Sequence, residues 1–136
     1  MTHRPAWSRV STLLLVAGLA GTGCSPAAAP VTVEIVLRYS RFQPAAVQVP
    51  HGRPITFVLR NEDPIDHEWI VGDDALHEAH RSGTEPHHAT RPTEVSLEPL
   101  TTRRTTVTFP SATRLSFVCH LPGHEAYGMV GALVVE

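Results

Sequence analysis

Cys119-His-Leu-Pro-Gly-His124-Glu-Ala-Tyr-Gly-Met129 is the most informative segment of this 136-residue chain. One apolar run, residues 115–118, leads directly into Cys119, and a second run, residues 130–135, follows Met129. Both runs have the length of a strand and are too short for a typical helix. We expect two neighbouring strands whose connecting loop projects from one end of the domain.

Short apolar runs with period-two alternation also cover most of the chain before this loop. Turns rich in proline and glycine separate them, and no long helical period interrupts the pattern. About eight strands of this kind predict an all-β domain built as a β-sandwich. The predicted strands are residues 31–39, 47–49, 55–60, 68–71, 93–97, 104–109, 115–118 and 130–135.

Four side chains in and upstream of the loop predict a metal site. Cys119, His124 and Met129 share the loop, and His67 stands far upstream in the sequence Asp-His-Glu-Trp. Two His and one Cys in a plane, with a weak axial Met, form the ligand set of blue-copper electron-transfer sites. We therefore predict one copper ion bound by His67, Cys119, His124 and Met129.

Each of these residues has an ordinary explanation when it is taken alone. His67 can cap a loop, Met129 can belong to the core, His124 can lie on the surface, and Cys119 can be a buried, inert thiol. Zinc is the competing metal, because Cys and His bind it well, but structural zinc usually has four ligands in paired spacings. Taken together, Cys-x4-His-x4-Met before a terminal apolar strand favours copper.

The same positions carry a resemblance to a known family. The matching residues are Phe42-x-Pro44, Val47-x-Val49-Pro50-x-Gly52, Ile55-x-Phe57, Asn61, His67 and Cys119-x4-His124-x4-Met129. The chain resembles the cupredoxins, the family of plastocyanin, azurin and rusticyanin, and its ligand spacing resembles the rusticyanin type. The resemblance implies a Greek-key β-sandwich with one type 1 copper, in which His67, Cys119 and His124 are equatorial ligands and Met129 is axial.

The first thirty residues predict export. Two arginines precede an apolar run, residues 13–20, that is too short to span a bilayer as a helix. Gly-Thr-Gly-Cys24 follows, which resembles a bacterial lipoprotein signal, where the cysteine becomes the lipidated first residue. We predict a signal peptide at 1–23, lipidation at Cys24, a tether at 24–30 and a cupredoxin domain at 31–136. An ordinary secretory signal is the alternative.

Residues 72–92 break the strand pattern, because they are polar and rich in histidine. We predict an irregular insertion with a turn or two of helix at residues 74–80. A solvated polar loop is the favoured interpretation, since no fixed ligand spacing is visible. The alternative is a second site for Cu(II) or Zn(II), formed by His77, His80, His87 and His88.

Residues next to the predicted ligands suggest supporting roles. Asp66, just before His67, is predicted to brace the two ligand loops by hydrogen bonds. The apolar residues around His124 are predicted to form a docking patch for a redox partner, and the alternative is that they only stiffen the loop. The patch residues are Leu121, Pro122, Ala126 and Tyr127.

Composition narrows the classes of function. The formal charge is −2, and all eleven basic residues are arginines scattered along the chain, so nucleic acid is not an expected partner. One mononuclear site with four protein ligands leaves no open position for a substrate, and no Ser/His/Asp or paired-carboxylate arrangement stands out. We therefore do not expect an enzyme.

Two functions follow from these features. The first is one-electron transfer by a monomer that a lipid tethers to the outer face of the cytoplasmic membrane or in the periplasm. Its expected partner is a redox protein, such as a respiratory oxidase, a copper-containing reductase or a cytochrome. The second is copper handling, in which the site and the His-rich insertion carry or buffer the metal for delivery.

Overall fold

A computed structural model describes residues 29–83 and 91–136 of the chain. The predicted signal peptide, the lipidation at Cys24, and His87 and His88 lie outside these residues. No helix in the described part is long and apolar enough to cross a membrane. The elements are β1 (Val31–Leu37), β2 (Phe42–Gln43), β3 (Ala46–Val49), β4 (Pro54–Asn61), β5 (His67–Gly72), α1 (Asp74–Ser82), β6 (Glu94–Leu97), β7 (Thr102–Thr108), β8 (Thr113–Val118) and β9 (Val130–Val135).

The strands form two sheets. One has the order β2-β1-β4-β7, and the other has the order β3-β9-β8-β5-β6. Two strand pairs, β1 with β4 and β3 with β9, are parallel, and the remaining pairs are antiparallel. The prediction of an all-β sandwich is confirmed.

The core lies between the sheets, and strands such as β3, β4 and β9 alternate residues that face it with residues that face away. In β4 the buried positions include Ile55, Phe57 and Leu59, which are fully buried. The ring of Phe57 packs against Trp69 of the other sheet, with ring centroids 4.8 Å apart. Burial of a large apolar side chain contributes roughly 1.5–3 kcal/mol, so contacts of this kind hold the two sheets together.

Two details differ from the prediction. The described residues form nine strands rather than about eight, because β2 is a two-residue strand that pairs with the end of β1. The segment predicted to be irregular contains a regular nine-residue helix, α1, within residues 72–92. The turn or two of helix predicted at residues 74–80 is present and extends to Ser82.

Capping explains why this polar segment is helical. The Asp73 side chain accepts a hydrogen bond from the Leu76 N–H, which satisfies one of the free donors of the first turn. Gly83 ends the helix with φ 68°, and its N–H reaches the carbonyl groups of Ala79 and His80. The helix packs against β5 and β8, and His77 is its buried residue.

Candidate metal centre

The loop between β8 and β9 presents three of the four predicted ligands. Strand pairing ends with Val118 opposite Val130, and the Cys119 N–H then donates to the Met129 carbonyl at 3.2 Å. The Met129 N–H in turn donates to the His124 carbonyl at 3.0 Å. These bonds close the loop on itself and fix the spacing of its ligands.

Two glycines allow the loop to turn this tightly. Gly123 has φ 85° and Gly128 has φ 89°, a region in which residues with a Cβ are strained. The Gly123 carbonyl accepts from the Tyr127 N–H at 3.0 Å, and the Gly128 N–H donates to the Glu125 carbonyl at 2.8 Å. The two glycines therefore flank the turns that carry His124.

Strand register brings His67 to this loop. In the antiparallel pair of β5 and β8, Ile70 lies opposite Val118, so the beginning of β5 runs beside Cys119. His67, the first residue of β5, is buried at 1% exposure. Its Nδ1 lies 3.2 Å from His124 Nδ1, and Cys119 Sγ lies 3.2 Å from the same His124 nitrogen.

The donor set has the chemistry of a type 1 copper site. One ligand atom each from His67, Cys119 and His124 lies within 4.8 Å of the other two. Met129 is fully buried in the core next to this set and supplies a thioether. Two imidazoles, one thiol and one thioether fit copper, and these four residues are arranged as a type 1 copper site.

Burial sets the protonation of the metal-free ligands. It raises the pKa of the Cys119 thiol to about 11, although the Glu68 N–H, 3.3 Å from the sulfur, acts in the opposite direction. Burial also lowers the pKa of His124, and the nearby His67 ring acts in the same direction. A metal ion must therefore displace a proton from Cys119, whereas His124 offers a neutral ring.

Asp63, rather than Asp66, is the carboxylate that holds His67. Asp63 Oδ2 accepts from His67 Nε2 at 2.9 Å, so the other ring nitrogen, Nδ1, faces the ligand set. The Asp63 carboxylate also accepts the N–H groups of Tyr39 and Ser40, at 2.7 and 2.9 Å. A carboxylate on the outer nitrogen of a ligand histidine fixes its tautomer and its ring orientation.

The prediction for Asp66 is corrected because the chain turns between β4 and β5. The Asn61 side-chain amide donates to the carbonyl of Ile65 at 2.8 Å, and its Oδ1 accepts the Asp63 N–H at 3.0 Å. This turn directs Asp63 inward and leaves Asp66 exposed on the wall of an open groove beside His67. The sequence signal for Asp63 was present, since Asn-Glu-Asp-Pro precedes the histidine.

Comparison with known proteins decides the family. The family model described as "Cupredoxin-like domain" matches residues 11–135. The chain belongs to the cupredoxin-like family. Its fold and its metal centre are therefore those expected for a cupredoxin.

Two curated relatives carry the same name. The copper-resistant cuproprotein CopI of Pseudomonas aeruginosa is 32% identical over 148 residues, and the match covers 85% of this chain and 82% of that protein. The copper-resistant cuproprotein CopI of Rubrivivax gelatinosus is 34% identical over 110 residues, covering 77% of this chain and 66% of that protein.

Solved structures of similar fold include two auracyanins. The dithionite-reduced auracyanin of Roseiflexus castenholzii has a TM-score of 0.66 and 24% identity, covering 79% of this chain and 98% of its own. Auracyanin A of Chloroflexus aurantiacus, a "blue" copper protein, has a TM-score of 0.63 and 25% identity, covering 79% of this chain and all of its own.

The predicted docking residues lie within three positions of His124 on the ligand loop and are at least partly exposed. Pro122 and Ala126 are exposed, Leu121 is partly exposed, and Tyr127 is 67% exposed. His124 itself is partly exposed, whereas His67, Cys119 and Met129 are buried. The ring of His124 is therefore the ligand side chain nearest to solvent.

The histidines of the insertion form a second cluster in this cupredoxin. His77 and His80 lie on α1, and their partner is His120, the residue that follows Cys119. The His120 side chain is 6% exposed, so it supports the loop rather than facing solvent. His87 and His88 lie outside the described residues, and their predicted part in a second metal site stays a prediction.

We expect Asp63→Asn to lower the free energy of unfolding of the metal-free protein by about 1–3 kcal/mol at pH 7. Asparagine offers one acceptor oxygen where the carboxylate accepts three donors, and an unsatisfied buried group costs about this much. Urea unfolding measures the effect. The matched control is Asp66→Asn, which should change the free energy by no more than about 0.5 kcal/mol.

The effect of Asp63→Asn should also depend on pH. Burial alone would raise the pKa of Asp63, but the Ser40 and Tyr39 N–H donors and His67 outweigh it, so the pKa is lowered. A carboxyl whose pKa is lower in the folded state stabilises the protein above its unfolded pKa of about 3.9. The difference between wild type and variant should therefore shrink as pH falls below 4. A difference that is the same at pH 7 and pH 3 would contradict this assignment.

Proposed function

We propose that the protein transfers single electrons outside the cytoplasmic membrane through its type 1 copper site. The observation that supports this proposal is the set of hydrogen bonds that hold the ligand residues in place. Asp63 fixes His67, the loop bonds fix His124 and Met129, and the Glu68 N–H points at the Cys119 sulfur. When bound, copper supplies a one-electron couple between Cu(I) and Cu(II).

Rigid ligands suit this role because little has to move between the two oxidation states. Cys119, Met129 and His67 are at most 1% exposed, so water does not compete for their positions. His124 is the partly exposed ligand, and its ring edge is the proposed route for electrons. The proposed docking patch, Leu121, Pro122, Ala126 and Tyr127, surrounds that edge.

The partner in this proposal is a redox protein, such as a respiratory oxidase, a copper-containing reductase or a cytochrome. The protein acts as an exported monomer, anchored by lipid at Cys24 and working at the outer face of the cytoplasmic membrane or in the periplasm. It is an electron carrier and not an enzyme, since four protein ligands fill the coordination of the single site.

Copper handling is the second candidate function. The observation that favours it is the similarity to two curated relatives, each named copper-resistant cuproprotein CopI. In this function the same four ligands bind copper for storage or delivery, and the histidines of the insertion contribute further binding. The two functions differ in how fast the metal leaves the site.

The Cu(II)-loaded protein should show a strong thiolate-to-copper absorption band and an EPR signal with narrow copper hyperfine splitting. Both features arise from the short bond between copper and the Cys119 sulfur. Cys119→Ser should abolish both, because a hydroxyl does not replace the thiolate. A pale spectrum that is the same in wild type and variant would show that Cys119 is not a ligand.

Placing a negative charge in the docking patch should slow electron transfer without changing the spectrum. Ala126→Glu should lower the second-order rate constant with cytochrome c by about tenfold, because it places a desolvated charge in an apolar contact. Ala112→Glu, an exposed position before β8 at the opposite end of the domain, is the matched control. Equal rates in the two variants would show that electrons do not leave through this patch.

The rate of copper release separates the two candidate functions. An electron carrier should release Cu(I) to a Cu(I)-chelating dye over hours, because four braced ligands must be broken. A delivery protein should release it within seconds to minutes. Stopped-flow absorbance of the dye measures the rate. The Asp63→Asn variant, in which His67 is held less firmly, provides the reference for fast release. Release by wild type as fast as by this variant would favour copper handling.

A further inference from the structure

A cluster of three imidazoles lies on the far side of the copper loop, where α1 packs against β8. His77 Nδ1 is 2.9 Å from His120 Nε2, and the two ring centroids are 5.2 Å apart. The His80 ring stacks on His120, with centroids 5.1 Å apart and an angle of 23° between the rings. His77 is 1% exposed, so this contact is buried.

Each ring also has an outer nitrogen, the one directed away from the other two rings, and this nitrogen lies near an acceptor. His77 Nε2 lies 3.3 Å from the Ser116 carbonyl, and His80 Nδ1 lies 2.9 Å from the Leu76 carbonyl. His120 Nδ1 lies 3.5 Å from the Glu125 carboxylate. Carbonyl oxygens only accept, so the contacts of His77 and His80 favour tautomers that carry the N–H on the outer nitrogen.

The inner nitrogens, His77 Nδ1 and His120 Nε2, are hydrogen-bonded at 2.9 Å, with the N–H of His120 Nε2 donating to the lone pair of His77 Nδ1 in the metal-free protein. Replacing that proton by a metal ion makes both nitrogens lone-pair donors to the metal. A metal ion is the alternative that satisfies both nitrogens without charging either ring.

The distance agrees with a metal pair as well. Two imidazole nitrogens bound at about 2.0 Å and at right angles lie about 2.8 Å apart. Ligand histidines also typically donate their other N–H to a carboxylate or a backbone carbonyl, as His120 and His77 are placed to do here. The cluster thus has the inner donors and the outer supports of a histidine metal site.

We propose that His77 Nδ1 and His120 Nε2 bind a second metal ion, Cu(II). Nitrogen ligands without sulfur suit Cu(II), whereas the thiolate and thioether of the first site also suit Cu(I). Glu125 is a positioning residue, which holds the His120 ring from its outer nitrogen. Arg81 fixes Glu125 in turn, with N–O distances of 2.6 and 3.1 Å.

The two sites share the backbone of one loop. His120 follows Cys119 in the sequence, and Glu125 follows His124. Each residue that the loop supplies to the second site is therefore the direct sequence neighbour of a ligand of the first site. Adjacent residues of an extended chain project to opposite sides. Cys119 therefore points into the core, and His120 points toward α1.

Copper titration of the full-length protein tests the proposal. Cu(II) is added to protein whose type 1 site already holds one equivalent, and EPR follows the second equivalent. We expect a second signal with wide copper hyperfine splitting and coupling to two imidazole nitrogens. A wild-type protein that binds one equivalent, or a second signal without nitrogen coupling, would overturn the proposal.

Variants assign the second signal to its ligands. His77→Gln should abolish it and leave the thiolate-to-copper band intact, which also shows that the protein is folded. His51→Gln, at an exposed turn histidine, is the matched control and should retain both signals. A second signal that persists in His77→Gln would assign the metal to other histidines and overturn the proposal.

Glu125→Gln is the second variant, should His77→Gln fail to fold. Loss of a carboxylate that orients a ligand histidine typically weakens metal affinity by 10–100-fold, so we expect the dissociation constant of the second Cu(II) to rise by about that factor. The readout is the Cu(II) concentration at half-saturation of the second EPR signal. An unchanged half-saturation would overturn the role of Glu125 and the ring orientation on which the site depends.

Discussion

The carboxylate of Asp63 is the contact on which the metal centre depends. It stands in the connection from the first sheet to the second, between β4 and β5, and it reaches in both directions. On one side it accepts the N–H groups of Tyr39 and Ser40, both with positive φ, in the turn that follows β1. On the other side it holds His67. One side chain therefore connects the turn of one sheet to the first ligand of the other.

Asn61 makes this contact possible. It ends β4 and reaches the carbonyls of Ile65 and Glu98, at 2.8 and 2.9 Å, which connects the β4–β5 turn with the β6–β7 turn. With that turn fixed, Asp63 faces inward and His67 begins β5 in register beside β8. The position of His67 thus follows from a chain of buried polar contacts, and each must be satisfied because an orphaned polar group in the interior is costly.

The sequence predicted most of this molecule where chemistry or periodicity constrains residue type. The sandwich was predictable because short apolar runs, many with period two, recur between turns rich in proline and glycine. The ligands were predictable because few residue types bind copper, and here they stand at a recognisable spacing. The two-residue strand β2 carries no period and was missed. Whether Asp63 or Asp66 faces His67 depends on the backbone conformation of the β4–β5 turn, and no residue pattern in the sequence predicts that conformation. The contact of His77 with His120 joins positions 43 residues apart and depends on how α1 packs.

The ligand loop also has a consequence for the order in which the protein folds. Three of the four donors lie within eleven residues of one hairpin, and the Cys119 N–H already closes that hairpin through the Met129 carbonyl. Such local contacts form early, because little chain entropy is lost in closing a short loop. The fourth donor, His67, comes from 52 positions before Cys119 and arrives only when β5 pairs with β8. During refolding the hairpin can therefore close before His67 reaches it, and the pairing of β5 with β8 completes the ligand set.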